Sequence, residues 1–259
     1  MKGLLENKVT IITGAGSGVG RAACLLFAEH GAKVVAADID SQSVNDTAEA
    51  VKAKGGEALA VVCDVTDKES VDGLIKQAVE QFGRLDVMYN NAGITTRPGQ
   101  TFMDATDQDM ERLTAVNING VIHGCQSAIR QFDGQNSGGA IVTTASVAGI
   151  IGFGGVLYGS SKGAITTLTR TLALEVANKG IRVNAVCPGA MPTNFGGGAL
   201  KNNEAARQHT GALHPLGRVI EPEECAAAAL FLASDLASNI TGVNLPVDGG
   251  LAAGKPLSR

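Results

Sequence analysis

Aromatic residues are scarce in this sequence, and its cysteines follow no pattern that would build a metal site or a disulfide framework. The 259 residues include no Trp, two Tyr and seven Phe, so a core must be packed by Ala, Val, Ile and Leu. The five cysteines are widely spaced and odd in number, and no C-x-x-C pair occurs. They are Cys24, Cys63, Cys125, Cys187 and Cys225. We expect most of them to be small core residues and the protein to bind no metal.

An excess of basic residues is also missing. Lys and Arg number 21 against 25 Asp and Glu, a formal charge of −4, so no bulk positive surface is available for nucleic acid or an anionic membrane. The longest apolar run, around residues 226–233, is far short of the roughly 20 residues that span a bilayer. Met1 to Lys8 contain no apolar signal core. We predict a cytoplasmic protein with a small-molecule partner and neither a membrane nor a nucleic-acid partner.

Glycine is abundant, with 34 residues, and one cluster of them follows a predicted strand. Lys8 to Thr13 is a β-branched run, Gly14-Ala15-Gly16-Ser17-Gly18-Val19-Gly20 follows it, and Arg21 to His30 has apolar residues at helical spacing. Glycines let the backbone turn tightly, and the free N–H groups at a helix N-terminus favour a phosphate. Many glycine patterns are ordinary loops, but the flanking strand and helix favour a nucleotide site here.

A carboxylate ends the second predicted strand, Ala32 to Asp38, 18 residues after Gly20. Dinucleotide-binding folds use an acidic residue near this separation to bind ribose hydroxyls. Asp38 could also be a turn or capping residue, because Asp40 follows and a helix is predicted over about 44–54. The two roles are compatible.

Strands and helices alternate along the chain without a Pro/Ser-rich linker or an internal repeat. The predicted strands are Lys8–Thr13, Ala32–Asp38, Ala58–Cys63, Leu85–Asn90, Ala140–Ala145, Ile181–Val186 and Val243–Val247. This pattern predicts an α/β fold in which residues 1–259 form one doubly wound, Rossmann-like domain with a mainly parallel seven-stranded sheet and helices on both faces. Ligands of such sheets bind beyond the carboxyl ends of the strands. Residues 190–213 are predicted to be irregular and to serve as a substrate lid.

A phenol and an ammonium group stand at helical spacing in Tyr158-Gly159-Ser160-Ser161-Lys162. On a helix, residues i and i+4 share a face, so Lys162 should lie beside the phenol of Tyr158. A neighbouring positive charge lowers the pKa of a tyrosine from about 10 and suits it to general acid/base work. The alternative is a buried Tyr and a surface Lys that share this spacing by chance.

These motifs resemble the short-chain dehydrogenase/reductase family over nearly the whole chain. The matching residues are Thr13-Gly14-x-x-x-Gly18-x-Gly20, Asp64, Asn90-Asn91-Ala92-Gly93, Asn117, Ser146, Tyr158-x-x-x-Lys162 and Pro188-Gly189. The resemblance implies a nicotinamide cofactor and hydride transfer between it and an alcohol or carbonyl carbon. The residues that it assigns to the cofactor are Gly14, Ser17, Gly18, Val19, Gly20, Asp38, Ile39, Asp64, Val65, Asn91, Ala92, Gly93, Tyr158, Lys162, Pro188, Gly189, Met191 and Thr193.

Four residues have catalytic roles by this resemblance. Tyr158 exchanges a proton with the substrate oxygen, and Ser146 hydrogen-bonds that oxygen. Lys162 binds the nicotinamide ribose and lowers the pKa of Tyr158, and Asn117 holds a water that links Lys162 to solvent. Asn117 could instead only tie its helix to a neighbour, and Ser146 could only close a strand end.

The resemblance also assigns parts of the cofactor to particular residues. Asp64 and Val65 contact the adenine, Asn90 supports the cofactor, and Thr193 meets the carboxamide. The histidines match no catalytic position. His209 and His214, in or beside the lid, could touch substrate, but we expect the histidines at the surface. They are His30, His123, His209 and His214.

One spacing departs from the family pattern. Tyr158 lies 12 residues after Ser146, one fewer than is usual, and the usual spacing would fall on Ala145. We favour Ser146 because it ends a strand, whereas Thr144 shares its strand face and lies deeper. The shorter connection should change the substrate wall at residues 152–157.

The sequence therefore predicts an NAD-dependent oxidoreductase of neutral secondary alcohols or ketones. Asp38 would repel the 2′-phosphate of NADP, and neither Ser17 nor residues 39–42 supply an Arg or Lys to bind it. One alternative is an NADPH-linked reductase of carrier-bound 3-oxoacyl chains, which Asp38 disfavours. Another is a non-catalytic cofactor-binding subunit, which the complete catalytic set disfavours.

The resemblance further implies a homo-oligomer, most often a tetramer. The sequence supports this only through an apolar stripe on the Tyr158 helix, which the sheet alone could bury. The stripe consists of Ile165, Leu168, Leu172 and Val176.

Overall fold

Seven parallel β-strands form one sheet at the centre of the protein. The computed structural model describes residues 3–254, so residues 1, 2 and 255–259 of the predicted domain lie outside the described residues. The strands are β1 Val9–Thr13, β2 Lys33–Asp38, β3 Glu57–Val62, β4 Val87–Asn90, β5 Gly139–Thr144, β6 Ile181–Pro188 and β7 Asn244–Val247. Every neighbouring pair is parallel, in the order β3-β2-β1-β4-β5-β6-β7. The predicted fold class is confirmed.

Helices cover both faces of the sheet, which explains why its strands are apolar runs rather than alternating patterns. The helices are α1 Gly18–Glu29, α2 Ser41–Ala53, α3 Lys68–Phe82, α4 Asp107–Thr114, α5 Gly120–Gln135, α6 Val156–Val176, α7 Ala199–Asn202, α8 Glu204–Gly211 and α9 Pro222–Ala233. Helices α1, α2 and α9 pack in one hydrophobic core. Helices α3, α5 and α6 pack in a second core on the other face.

The sheet order reverses between β1 and β4, which are neighbours although two strands separate them in the chain. The connections that follow these two strands lead to opposite faces, so a crevice opens between them at the carboxyl edge. The glycine cluster follows β1 and Asn91 to Gly93 follow β4. The topology thus brings the two motifs together.

Asn117 lies between two helices rather than within one regular helix. Helices α4 and α5 are joined by a π-helical stretch, Ala115–Asn119, in which the Gly120 N–H donates to the Ala115 carbonyl. A π-helical turn inserts an extra residue and rotates the side chains that follow it, and such turns are frequent at functional sites. Asn117 lies in this turn and is buried.

Residues 190–213 are also more regular than predicted, because they contain α7 and α8. Asn203 begins α8 by accepting a hydrogen bond of 3.0 Å from the Ala206 N–H. The sequence concealed these helices because both are short and follow Gly196-Gly197-Gly198, which are typical of a loop. The prediction of an irregular segment was wrong.

The apolar stripe on α6 faces the protein's own sheet. Ile165 and Val176 are buried in the core, and Leu168 and Leu172 pack against it. Leu174, in contrast, is 82% exposed. The stripe therefore gives no support to the predicted oligomer. Within residues 3–254, no helix has the length and hydropathy needed to cross a membrane.

Candidate active site

A cleft of about 650 Å³ opens at the carboxyl ends of the strands. Most of the residues that the sequence predicted for the site line this cleft. They are Gly14, Ser17, Gly18, Val19, Asp38, Ile39, Asp64, Val65, Asn91, Ala92, Gly93, Ser146, Tyr158, Lys162, Pro188, Gly189, Met191 and Thr193. Gly20 and Asn117 do not line it and support residues that do.

The glycine loop is packed directly against the end of β4. A Cβ at Gly14, where φ is +63°, would lie 2.8 Å from the Ala92 Cα, and a Cβ at Gly20 would collide with the Gly14 carbonyl. The Thr13 hydroxyl accepts hydrogen bonds from the N–H groups of Asn91 and Ala92, at 3.0 and 3.1 Å. Only glycine leaves room for this packing, so the loop and the strand end form one unit.

The N-terminus of α1 faces the cleft without a side-chain cap. Ser17 is the N-cap residue, its side chain makes no capping hydrogen bond, and the first turn of α1 contains no acidic residue. The first N–H groups of a helix lack partners within the helix, and its dipole is positive at this end. Ser17, Gly18 and Val19 therefore offer an anion-binding site that fits a pyrophosphate.

The carboxylate of Asp38 is held against the glycine loop by hydrogen bonds. One oxygen accepts a hydrogen bond from the Gly16 N–H at 2.9 Å, and the other accepts one from the Asp40 N–H at 3.0 Å. Asp38 thus organises its turn and also lines the cleft, as both sequence interpretations required. Among the described residues that line the cleft, Lys162 is the only lysine or arginine, so no cation faces Asp38 across it.

A short loop after β3 closes this end of the cleft. One carboxylate oxygen of Asp64 accepts hydrogen bonds from the N–H and hydroxyl of Thr66, at 2.9 and 2.8 Å. The Val65 carbonyl lies 3.0 Å from His123 Nδ1 and, as an acceptor, requires that nitrogen to carry its proton. Cys63 also lines the cleft, a residue that sequence reasoning assigned only to the core.

Asn90 is turned away from the cleft, contrary to the expectation that it supports the cofactor. Its side chain is buried beside α5, where its Nδ2 lies 3.5 Å from Cys125 Sγ and a Cβ at Gly124 would collide with its Oδ1. Successive residues of a strand point to opposite faces, so Asn91 faces the cleft and Asn90 does not.

Lys162 is buried beside Tyr158 on one face of α6, as the spacing predicts. The side chain is 2% exposed, its Nζ donates to the Thr144 carbonyl at 2.8 Å, and Nζ lies 5.9 Å from the centre of the Tyr158 ring. Burial disfavours the charged ammonium and lowers the pKa of Lys162 from 10.5 to about 8.

Tyr158 does not have the lowered pKa that the sequence led us to expect. Burial raises its pKa to about 12, since the phenolate would lose its hydration, and the Ser146 hydroxyl opposes this rise by hydrogen bonding. The Lys162 ammonium, whose own pKa is lowered by burial, donates to the Thr144 carbonyl. In the free protein Tyr158 is therefore a proton donor at neutral pH.

Ser146 and Thr144 hold different positions despite sharing a strand face. The Ser146 side chain accepts a hydrogen bond of 3.1 Å from the Ala148 N–H and remains close enough to Tyr158 to affect its pKa. The Thr144 hydroxyl lies 2.9 Å from both Tyr89 Oη and Asn91 Oδ1. Because an amide oxygen only accepts, Thr144 donates to Asn91 and Tyr89 donates to Thr144. The Thr144 hydroxyl is thus used in hydrogen bonds with the neighbouring strand β4 and the residue that follows it.

Asn117 fastens two segments together behind the cleft. Its Oδ1 accepts from the Ile94 N–H at 2.9 Å, and its Nδ2 donates to the Ile94 carbonyl at 2.9 Å and the Ser161 hydroxyl at 3.0 Å. A Cβ at Gly93 would lie 3.4 Å from both Asn117 Oδ1 and Lys162 Nζ. Gly93, which lines the cleft, therefore packs closely against both atoms. These contacts tie the helical segment of Asn117 to its neighbours, which is the alternative role that the sequence analysis gave for this residue.

The end of the cleft near Tyr158 is apolar. The Phe195 ring packs edge-on against Tyr158, with centroids 5.7 Å apart and planes at 62°. Phe153 and Phe195 line the cleft together with residues that the sequence did not single out, among them Ile94, Thr95, Val116, Ala148, Asn194 and Leu200. Ile94 and Thr95 follow Gly93 directly and could have been inferred from it, whereas Leu200 lies in the unexpected helix α7.

The histidines are not all at the surface, contrary to expectation. His209 is exposed, whereas His30 and His123 are half-buried and His214 is fully buried.

The match to known proteins identifies the family. A family model described as "Enoyl-(Acyl carrier protein) reductase" matches residues 14–252. Meso-2,3-butanediol dehydrogenase of Serratia marcescens is 40% identical over 249 residues, which cover 96% of each chain. The chain belongs to the short-chain dehydrogenase/reductase family. It is therefore an oxidoreductase that uses a nicotinamide cofactor and acts on a small-molecule substrate.

Other short-chain dehydrogenases/reductases match over a similar extent. The 3-oxoacyl-(acyl-carrier-protein) reductase of Thermotoga maritima is 39% identical over 248 residues, covering 95% of this chain and 98% of its own. The crystal structure of 3-ketoacyl-(acyl-carrier-protein) reductase from Brucella melitensis, complexed with NADH, has a TM-score of 0.88 and 35% identity. That match covers 96% of this chain and 99% of the other.

Proposed function

We propose that this short-chain dehydrogenase/reductase uses NAD to interconvert neutral secondary alcohols and ketones. The observation that carries the proposal is that one cleft contains a fixed carboxylate, Asp38, at one end and Tyr158, Ser146 and Lys162 at the other. The first group suits an adenosine ribose, and the others suit a reacting oxygen and its proton.

The NAD preference follows from charge. A 2′-phosphate on the adenosine ribose would meet the Asp38 carboxylate, and no lysine or arginine among the described cleft residues lies at that end to neutralise it. A ribose bearing two hydroxyls could instead donate to the remaining lone pairs of the carboxylate. The NADH bound by the Brucella melitensis relative is consistent with this choice.

The catalytic residues have complementary tasks in this proposal. The nicotinamide, when bound, supplies or accepts the hydride. Tyr158, protonated at neutral pH, donates its proton to the carbonyl oxygen during reduction. Before oxidation it must release this proton, so that its phenolate can accept the proton of the alcohol hydroxyl. Ser146 hydrogen-bonds the same oxygen, and the Lys162 ammonium binds ribose hydroxyls with donors that the Thr144 carbonyl does not use. Asn117 holds α6 in place through Ser161.

The substrate class follows from the apolar end of the cleft. Phe153, Phe195 and Leu200 line it, and apart from Lys162 the described residues around Tyr158 carry no charge. A charged substrate would be desolvated here without a partner, so a neutral one is favoured. We propose that residues 190–213 act as the lid, since Phe195 contacts Tyr158 directly.

The quaternary structure proposed for the protein is that of its family. We infer a homo-oligomer, most often a tetramer in this family, formed through surfaces other than the apolar stripe that α6 buries against the sheet.

The reaction is tested by an NAD-linked assay over cyclic, steroidal, sugar-like and aliphatic secondary alcohols. We expect turnover with neutral members of this panel, and Tyr158→Phe should lower kcat by about 10²- to 10⁴-fold, because it removes the transferable proton and little volume. NADH binding, measured by fluorescence titration, should change by less than about threefold, since few binding contacts are lost. Retention of most of the kcat in Tyr158→Phe would contradict the acid/base role.

The cofactor preference is tested by comparing kcat/KM for NAD and NADP. Asp38→Ala should lower the NAD/NADP ratio by about tenfold or more, because the repulsive carboxylate is gone. The matched control is Asp40→Asn, which removes a charge two residues away and outside the cleft lining, and its ratio should stay near that of the unmodified protein. Comparable kcat/KM values for both cofactors in the unmodified protein would refute the NAD assignment.

The two hydroxyl residues near the cofactor should respond differently to mutation. Ser146→Ala should lower kcat by about 10²-fold, the usual effect of losing a donor to the reacting oxygen. Thr144→Val should instead lower the free energy of unfolding by about 1 to 2 kcal/mol, because Tyr89 and Asn91 lose their shared partner. Steady-state kinetics at saturating cofactor and urea denaturation measure the two effects. The opposite order of effects on kcat would transfer the catalytic role to Thr144.

A further inference from the structure

His214 is a buried histidine that the proposed reaction does not use. Its side chain is 1% exposed, Nδ1 lies 3.0 Å from the Thr210 carbonyl oxygen, and the Ala190 N–H donates to Nε2 at 3.3 Å. A carbonyl only accepts and a main-chain N–H only donates, so Nδ1 carries the proton and Nε2 accepts. The network therefore fixes His214 as one neutral tautomer with a partner at each nitrogen.

The two partners of His214 lie at opposite ends of the lid segment. Ala190 lines the cleft just after β6, and Thr210 lies in the last turn of α8. The Ala190 carbonyl accepts from the Ile220 N–H at 2.9 Å, so both main-chain polar groups of Ala190 are held. The ring thus joins the beginning of the lid to its end.

Gly189 makes this contact possible. A Cβ at Gly189 would lie 2.8 Å from His214 Nε2 and 2.9 Å from the Ile220 Cδ1, so a larger residue would push the ring away from Ala190. The Gly189 N–H is held by the Val247 carbonyl at 3.0 Å, which continues the pairing of β6 with β7. At the next residue, Ala190, the main-chain N–H is bonded to the imidazole of His214 instead of to β7.

We infer that His214 is a positioning residue for the cofactor: its Nε2 fixes the main chain of Gly189 to Met191, which forms one wall of the cleft. This inference rests on the proposed function, in which NAD occupies the cleft that Pro188, Gly189 and Met191 line. A buried N–H that loses its acceptor is costly, so without Nε2 the Ala190 segment would move toward another partner and displace the wall. The main chain of Asp248 packs against Gly189, and the Asp248 carboxylate accepts hydrogen bonds from the N–H groups of Gly250 and Ala252.

Two amide substitutions separate the two hydrogen bonds of His214. The amide of an asparagine reaches the position of Nδ1, and that of a glutamine reaches the position of Nε2. His214→Asn therefore keeps the bond to Thr210 and removes the acceptor for Ala190, whereas His214→Gln keeps the acceptor. His209→Asn, at an exposed histidine in α8, is the matched control.

The measurement is the dissociation constant for NADH by fluorescence titration, with thermal unfolding of each variant in parallel. We expect the dissociation constant to rise about tenfold in His214→Asn, because an unpaired buried N–H displaces the wall, and to change less than about threefold in His214→Gln and His209→Asn. Equal affinities in the Asn and Gln variants, whether both normal or both reduced, would overturn the inference.

The outcomes also separate this inference from the proposed function. If the unmodified protein binds no NADH, the proposed function fails; if it binds NADH and His214→Asn binds it equally well, only the role of His214 fails. Should His214→Asn not fold, amide hydrogen exchange of Ala190 in the unmodified protein decides. Protection that increases on NADH binding supports the positioning role, and exchange at the rate of an exposed amide overturns it.

Discussion

The enclosed ammonium group of Lys162 is the constraint on which the arrangement of the cleft depends. Its Nζ donates to the Thr144 carbonyl, and burial lowers its pKa to about 8. The folded-state pKa thus lies below the ordinary value of 10.5, so the buried charge lowers the free energy of unfolding below about pH 8. This loss disappears as the pH rises from about 8 to 10.5. A ligand that supplies further hydrogen-bond acceptors to the ammonium offsets part of this loss.

A chain of hydrogen bonds connects Lys162 to the glycine loop across three neighbouring strands. Lys162 donates to the carbonyl of Thr144 on β5, and the Thr144 hydroxyl donates to Asn91 Oδ1 after β4. The Asn91 Nδ2 donates in turn to the carbonyl of Thr13 on β1 at 3.0 Å. The first link joins α6 to β5, and the other two join adjacent strands of the sheet order, so the glycine loop and helix α6 are held in one frame.

Much of this frame could be predicted from the sequence because it depends on local patterns. The strand ends lie within two residues of their predicted positions, and the i, i+4 spacing placed Tyr158 and Lys162 on one helix face. The pKa of Tyr158 could not be predicted in the same way. It depends on how deeply the ring is buried, which residues distant in sequence, such as Phe195, determine.

Other features could not be predicted from the sequence, because they depend on contacts between distant residues, on strand register or on irregular helix geometry. Asn90 and Asn91 look equivalent in the chain, and only strand register decides which one faces the cleft. The π-helical turn at Asn117 adds one residue to the helix and rotates the side chains that follow, which a 3.6-residue pattern does not predict. His214 is joined to Ala190 by a ring nitrogen across the lid, a contact that has no periodicity to reveal it.

Proton uptake on NADH binding tests most directly whether the buried Lys162 holds the cofactor. Calorimetric titration near pH 8.5, in two buffers that differ in ionisation enthalpy, gives the number of protons exchanged. If cofactor hydroxyls become partners of the ammonium, its pKa must rise, and binding should take up a fraction of a proton that is lost in Lys162→Met. No uptake by the unmodified protein, or equal uptake by Lys162→Met, would contradict this role of Lys162.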